Sequence, residues 1–252
     1  MAPRVDCKTS AFVCDLHPGR GGPPLPPGPR RSVRPVSRRR LAATLCAAFL
    51  ATLASLHPSW VVAESGRAQV PRDTLLVLGD SLSAEHGLRR GQGWVVLLES
   101  RIHKTWRTVN ASISGETTRG GRSRIGKLLD RYHPEIVVLE LGGNDGLRGL
   151  SLARMRENLS AIVRRVQSSG ARVLLVGVRI PPNLGPVYTA RFHAVYEEVA
   201  DRFGTALVPF LLAGVGGDPD LMQGDGLHPR AGAEPRVLEN VWSALRPMLA
   251  RR

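Results

Sequence analysis

The chain has 252 residues, 42% of them hydrophobic, with 35 Lys+Arg against 21 Asp+Glu and a formal net charge of +14. That apolar content supports one sizeable core and excludes wholesale disorder, collagen-like repeats and a long coiled coil. From Glu64 onward 26 basic and 19 acidic residues leave a net +7, carried by arginines scattered among acids with few aromatics between them. This is a solvated basic surface, and no nucleic-acid partner is expected.

Residues 1–36 hold eight of the 19 prolines, including Pro23-Pro24 and Pro26-Pro27-Gly28-Pro29, and read as a disordered leader. Arg38-Arg39-Arg40 then precedes an apolar run from Leu41 to Leu56. Sixteen residues rise about 24 Å as a helix, short of a ~30 Å bilayer core. Val61-Val62-Ala63 supplies small residues for cleavage after Ala63, so residues 37–63 are expected to be a secretory signal peptide, with an uncleaved N-terminal anchor as the alternative. Cys7, Cys14 and Cys46 all precede Glu64, which leaves the rest without a disulfide or a thiolate metal site. Export to the periplasm or medium, with no stable membrane span after processing, is the expectation. Residues 64–72 form a linker, and 73–252 the folded domain.

Within that domain short apolar runs alternate with helical periods. Leu75 to Leu78 is the first strand, and Trp94 to Ile102 a helix with Trp94, Val95, Leu97, Leu98 and Ile102 on its apolar face. Thr108 to Ala111 is the second strand and Ser123 to Tyr132 the second helix. Ile136 to Leu141 is the third strand, followed by a long amphipathic helix from Ser151 to Ser168. Val173 to Val178 is strand four, Tyr188 to Phe203 a helix, and Ala206 to Val208 a short fifth strand. Pro229 is expected to open the last helix, which runs to Leu249. Continuous apolar strands alternating with helices predict a doubly wound, three-layer α/β/α domain of flavodoxin-like type, built on a five-stranded parallel sheet. Ligands of such sheets bind beyond the carboxyl ends of the strands.

Four segments occupy those ends. Gly79-Asp80-Ser81-Leu82-Ser83 follows strand one. Its serine, on a sharp strand-to-helix turn, is either an exposed nucleophile beside a helix N-terminus or a simple helix cap. Asn110 to Thr118 follows strand two, where Gly115 either brings a backbone N–H close to a ligand or is an ordinary turn glycine. Gly142-Gly143-Asn144-Asp145-Gly146 follows strand three, and Asn144 offers a neutral amide donor or an Asx-turn. Asp225-Gly226-Leu227-His228-Pro229 sets a carboxylate three residues before a histidine. The carboxylate can there fix the imidazole tautomer and leave Nε2 free to take a serine proton, or the segment is a surface turn. His86, His103, His133 and His193 lack such a partner in the sequence and read as plain surface or core histidines. Together the four segments supply a nucleophile, a base with its orienter, and hydrogen donors, the parts of an acyl-transfer site.

This ordered set resembles the SGNH hydrolase superfamily, or GDSL esterases and lipases, and within it the bacterial arylesterase and thioesterase I–lysophospholipase group. The resemblance spans about Asp73 to Leu249 and is strongest over Leu76 to Ala84, Asn110 to Thr117, Leu139 to Gly149 and Met222 to Pro229. It implies Ser81 as nucleophile, His228 as base and Asp225 as its orienter, with an oxyanion hole from the Ser81 and Gly115 N–H groups and the Asn144 side chain. It implies a small acyl ester or thioester substrate, no cofactor and no metal. Leu147, Arg148, Asn183, Leu184 and Tyr188 are candidate substrate-binding residues. Glu85-His86 departs from the glycine and aromatic common in the group, which sets the loop beside the nucleophile apart. Three other readings fit the same residues: an acyltransferase, a metallohydrolase using Asp80, Asn144, Asp225 and His228, and a catalytically silent binding module.

Overall fold

The computed structural model describes residues 73–250. The expected leader, the signal segment with its cleavage site, the linker and all three cysteines lie outside the described residues. Five strands, β1 (Asp73–Gly79), β2 (Trp106–Asn110), β3 (Ile136–Glu140), β4 (Arg172–Val176) and β5 (Ala206–Val208), form one sheet in the order β2-β1-β3-β4-β5, every pair parallel. This is the flavodoxin-like order, with its switch point between β1 and β3. Leu75–Leu78 of β1 and Ile136–Leu139 of β3 are fully buried, as central strands covered on both faces must be.

The helices are α1 (Trp94–Ile102), α2 (Thr118–Tyr132), α3 (Gly143–Leu147), α4 (Leu152–Ser168), α5 (Pro186–Phe203) and α6 (Glu234–Leu249). On one face α1 packs against α6; on the other α4 lies between α2 and α5. The apolar stripes agree with this: Leu159, Ile162, Val163 and Val166 of α4 and Val237, Leu238, Val241 and Leu245 of α6 are all buried. Among the described residues no helix is long and apolar enough to cross a membrane.

The structure differs from the sequence reading in several places. Helix α2 begins at Thr118, five residues earlier than expected, because Thr117 caps it by accepting from the Gly120 N–H at 3.3 Å. Gly120 and Gly121 lie inside it; Gly121 is needed there, since a Cβ would stand 2.3 Å from Cδ1 of the buried Leu141, just past β3. A short helix, α3, replaces the expected tight loop after β3. Pro229 does not open the last helix: it pairs with Met222 in an isolated bridge, and α6 starts at Glu234 with Pro235 in its first turn.

Candidate functional site

Ser81 stands two residues beyond β1, at the carboxyl edge of the sheet. Gly79 lets the chain leave there, because a Cβ would come within 2.7 Å of both Glu140 Oε2 and Ser83 Oγ. The expected helix after Ser81 is absent. Successive turns run from Ser81 to Gly87, with the His86 N–H donating to the Ser81 carbonyl at 3.3 Å, and α1 begins only at Trp94. Positive φ at Glu85 (57°), Gly87 (70°) and Gly91 (91°) precludes a helix. Glu85 is held in this conformation by its carboxylate, which accepts from the N–H groups of Gly91 and Gly93 at 2.9 and 2.8 Å. Ser81 therefore caps no helix, and the segment that follows it presents no helix N-terminus beside it.

Asp225 and His228 share a compact turn after Met222. Asp225 Oδ1 accepts from the Leu227 and His228 N–H groups at 2.9 and 3.1 Å, while Oδ2 meets His228 Nδ1 at 2.7 Å. His228 Nε2 lies 2.8 Å from Ser81 Oγ. A carboxylate only accepts, so Nδ1 carries the hydrogen and Nε2 turns its lone pair to the serine hydroxyl. Partial burial raises the Asp225 carboxyl, but the hydrogen bonds from Leu227 and His228 outweigh it and bring its pKa down to about 2. Asp225 is thus ionised throughout the neutral range. The turn is fastened from behind, where the Gln223 N–H donates to the His228 carbonyl at 2.7 Å.

Gly115 and Asn144 follow β2 and β3 at the same carboxyl edge of the sheet as Ser81. Gly115 sits in the loop after β2 with φ of +79°, a conformation that favours glycine. Asn144, in the first turn of α3, donates one Nδ2 hydrogen to Asp80 Oδ2 at 3.1 Å and keeps the other free. Neither the Ser81 nor the Gly115 N–H has an acceptor among the described residues.

Beneath this edge lie carboxylates whose roles the sequence reading did not see. Asp80 is 2% exposed; burial raises its pKa to about 6 despite hydrogen bonds from the Leu82 N–H and Asn144. Glu140, fully buried, accepts from Ser83 Oγ at 2.7 Å and from the Asp80 N–H at 3.2 Å; burial and the neighbouring Asp80 charge hold its pKa well above the usual range. Asp145 accepts from the Thr118 N–H and Oγ1 at 2.8 and 2.6 Å, tying α3 to the start of α2. A charged residue inside the otherwise apolar Ile136–Leu141 run was the available signal for Glu140. His86, read as a plain surface or core histidine, stacks obliquely on His228, with ring centroids 4.4 Å apart at 40°.

The five candidate substrate-binding residues divide. The Arg148 guanidinium donates to the Gly115 carbonyl at 3.1 Å, beside the donors, and the neighbouring Leu147 is exposed. Leu184 and Tyr188 instead line a cavity of about 910 Å³ with Leu150, Pro186 and Val187, and Tyr188 OH donates to the Leu150 carbonyl at 3.1 Å. Asn183 lies in the exposed turn Pro182–Leu184 and does not line that cavity. The cavity excludes Ser81, Asn144 and His228, so the hydroxyl and imidazole meet outside it. Of the four residues of the metallohydrolase reading, Asp80 and Asn144 bond each other below the edge, while Asp225 and His228 bond above it. The group of metal-ligating side chains found among the described residues is a different one: His86, Asp225 and His228.

A profile of the GDSL-like Lipase/Acylhydrolase family matches residues 77–233, which takes in every residue of this site. The chain belongs to that family. Esterase TesA of Pseudomonas aeruginosa is 51% identical over 184 residues, covering 72% of this chain and 92% of that protein. Thioesterase 1/protease 1/lysophospholipase L1 of Escherichia coli is 39% identical over 177 residues, covering 70% of this chain and 85% of the relative. Among solved structures, the psychrotrophic esterase EstA from Pseudoalteromonas, inhibited by monoethylphosphonate, superposes with a TM-score of 0.67 at 38% identity, covering 70% of this chain and 98% of that one. Membership in a family of acylhydrolases agrees with a sheet edge that gathers a hydroxyl, an imidazole and three hydrogen donors.

Proposed function

We propose that this chain is a serine esterase that hydrolyses carboxylic esters, and thioesters, through an acyl-enzyme. The observation that carries the reading is the unbroken chain of hydrogen bonds from Ser81 Oγ through His228 to Asp225, at 2.8 and 2.7 Å. Ser81 Oγ attacks the acyl carbonyl while His228 Nε2 takes its proton; the same proton then passes to the departing alcohol or thiol. Asp225 orients His228 and stabilises the imidazolium. The carbonyl oxygen, now anionic, is met by the Ser81 and Gly115 N–H groups and by the free hydrogen of Asn144 Nδ2. Water repeats the attack on the acyl-enzyme, with His228 again as base, and releases the acid.

The relatives' names, esterase and thioesterase/lysophospholipase, support acyl esters and thioesters as the substrate class. A phosphonate ester mimics the tetrahedral intermediate at a serine, and the inhibited Pseudoalteromonas enzyme supports the same chemistry here. A serine on the sheet edge, outside that cavity, suits short acyl chains, with Leu147 and Arg148 bordering the reacting carbonyl, and Leu184, Tyr188 and Asn183 further along. The arginine-flanked apolar run 38–56 and the Val61-Val62-Ala63 site support export to the periplasm or medium, which N-terminal sequencing of the recovered protein tests.

The test is Ser81→Ala. Hydrolysis of short p-nitrophenyl esters should vanish and a fluorophosphonate probe should no longer label the protein, with the circular dichroism spectrum unchanged. A folded Ser81→Ala variant with full activity would overturn the assignment.

A further inference from the structure

His86 takes no part in the acyl-transfer scheme, yet it stands against the residue on which that scheme turns. Its exposed ring is 4.4 Å from that of His228, and one ligand atom each of His86, Asp225 and His228 lies within 4.8 Å of the other two. The ring nitrogens of His86 have no hydrogen-bond partner among the described residues. The two loops are also strapped together. Gln223 Nε2 donates to the His86 carbonyl and to the Pro229 carbonyl, both at 2.9 Å, so one amide fixes the backbone of His86 to the far side of the Asp225–His228 turn. Gly87 packs onto this strap, where a Cβ would stand 2.1 Å from Gln223 Oε1.

Two imidazoles and a carboxylate form a borderline donor set. It suits Zn²⁺ and its transition-metal neighbours and not Mg²⁺ or Ca²⁺, which require several oxygens. Nitrogens on a common zinc lie roughly 3.3 Å apart, given bonds of about 2.0–2.1 Å in a tetrahedron. Turning the unbonded His86 side chain inward, with a slight parting of Asp225 Oδ2 from His228 Nδ1, now 2.7 Å apart, brings the three ligands to that spacing. We propose that His86, Asp225 and His228 form a site for one divalent transition-metal ion, such as Zn²⁺, and that its occupancy switches the hydrolase off. Coordination at His228 Nε2 takes the lone pair that would receive the Ser81 proton. Coordination at Nδ1 moves the ring proton, by way of solvent, to Nε2, which then has no lone pair for the serine, and it removes the hydrogen bond that orients the ring. Either way no bond of a substrate is made or broken, and removal of the ion restores the base.

The inhibitory half rests on His228 being the base; the binding half does not, and the experiment separates them. Zinc chloride titrated into the full chain during ester hydrolysis should inhibit it, EDTA should reverse this, and magnesium chloride should have no effect. In His86→Phe the half-inhibitory zinc concentration should rise at least tenfold. Calorimetric zinc titration of Ser81→Ala, which keeps all three ligands, should show one more bound ion per chain than Ser81→Ala/His86→Phe. The second readout also discounts zinc held by other cysteines and histidines, which both proteins share. Should His86→Phe melt well below the parent, His86→Gln is read in its place. Equal zinc sensitivity in parent and His86 variant, or equal stoichiometry in the calorimetric pair, overturns the site. An extra His86-dependent ion that leaves hydrolysis untouched overturns the inhibition. A parent that hydrolyses no ester defeats the esterase reading, while the calorimetric pair still decides the site.

Discussion

Asn144 offers the sharpest test of how the site handles negative charge. One of its two amide hydrogens is committed to Asp80 Oδ2 at 3.1 Å, which fixes the plane of the amide and leaves the other for the anion of the proposed oxyanion hole. Asn144→Ala removes that donor and leaves the Ser81 and Gly115 N–H groups. Loss of one donor from an oxyanion hole costs about 2.7–4 kcal/mol of transition-state stabilisation. At about 1.36 kcal/mol per factor of ten, kcat should fall roughly 10²–10³-fold. KM should change little, since the ground-state carbonyl carries less charge than the intermediate. The assay is steady-state hydrolysis of p-nitrophenyl butyrate by parent and variant, with fluorophosphonate labelling to count competent serines. Asp80→Ala should reproduce part of the loss by freeing the amide to rotate, and Asp80→Ala/Asn144→Ala should lose far less than the product of the two. A drop in kcat smaller than tenfold for Asn144→Ala, in a folded protein, would refute this placement of the oxyanion.

Further predictions concern pH and packing. Burial raises Glu234, which accepts from the Trp94 N–H at 2.8 Å, to about 7, despite that hydrogen bond. A raised carboxyl contributes stability that is complete below its unfolded pKa and is lost as pH rises through the folded value. Tm should therefore decline between about pH 4.5 and 7, and Glu234→Gln, which keeps the acceptor, should flatten that decline; an unaltered slope would refute it. Asp225 behaves oppositely, because its folded pKa of about 2 lies below the unfolded 3.8: its contribution is present above pH 3.8 and lost as pH falls through 2, so Asp225→Asn should remove part of the acid-limb loss of Tm. Gly121→Ala drives a methyl to 2.3 Å from Leu141 Cδ1 and should destabilise by about 1–3 kcal/mol in denaturant melts, with activity falling only as the protein unfolds. Glu140→Ala leaves Ser83 Oγ and the Asp80 N–H unpaired in a dry interior and should cost at least ~2 kcal/mol, at ~1–3 for each buried orphan.

The sheet was legible because its signal is redundant. Runs such as Leu75–Leu78 and Ile136–Leu139 are apolar at every position, and a strand buried on both faces tolerates nothing else. The four loops of the site were legible for the same topological reason, since each follows a strand and carries a residue with distinctive chemistry. Other features depended on contacts between segments far apart in the chain. That α2 runs through Gly120 and Gly121 reflects how closely it must approach Leu141, a tertiary demand that overrides propensity. Pro229 resembles a helix opener locally, but the bridge to Met222 holds it extended. The turns after Ser81 depend on Glu85 at positive φ, a conformation rare outside glycine and secured here by its own carboxylate. His86 read as a histidine without a partner because the one it has is 142 positions away.

Asp225 and His228 are three residues apart on one turn, while Ser81 projects from the rim of β1. The machine accordingly has two parts rather than three: a stationary nucleophile and a removable cassette in which base and orienter are pre-assembled. A slight loosening of that cassette parks the serine in an inert form without disordering anything behind it. Low concentrations of urea should therefore silence the enzyme reversibly while the sheet still reads as intact.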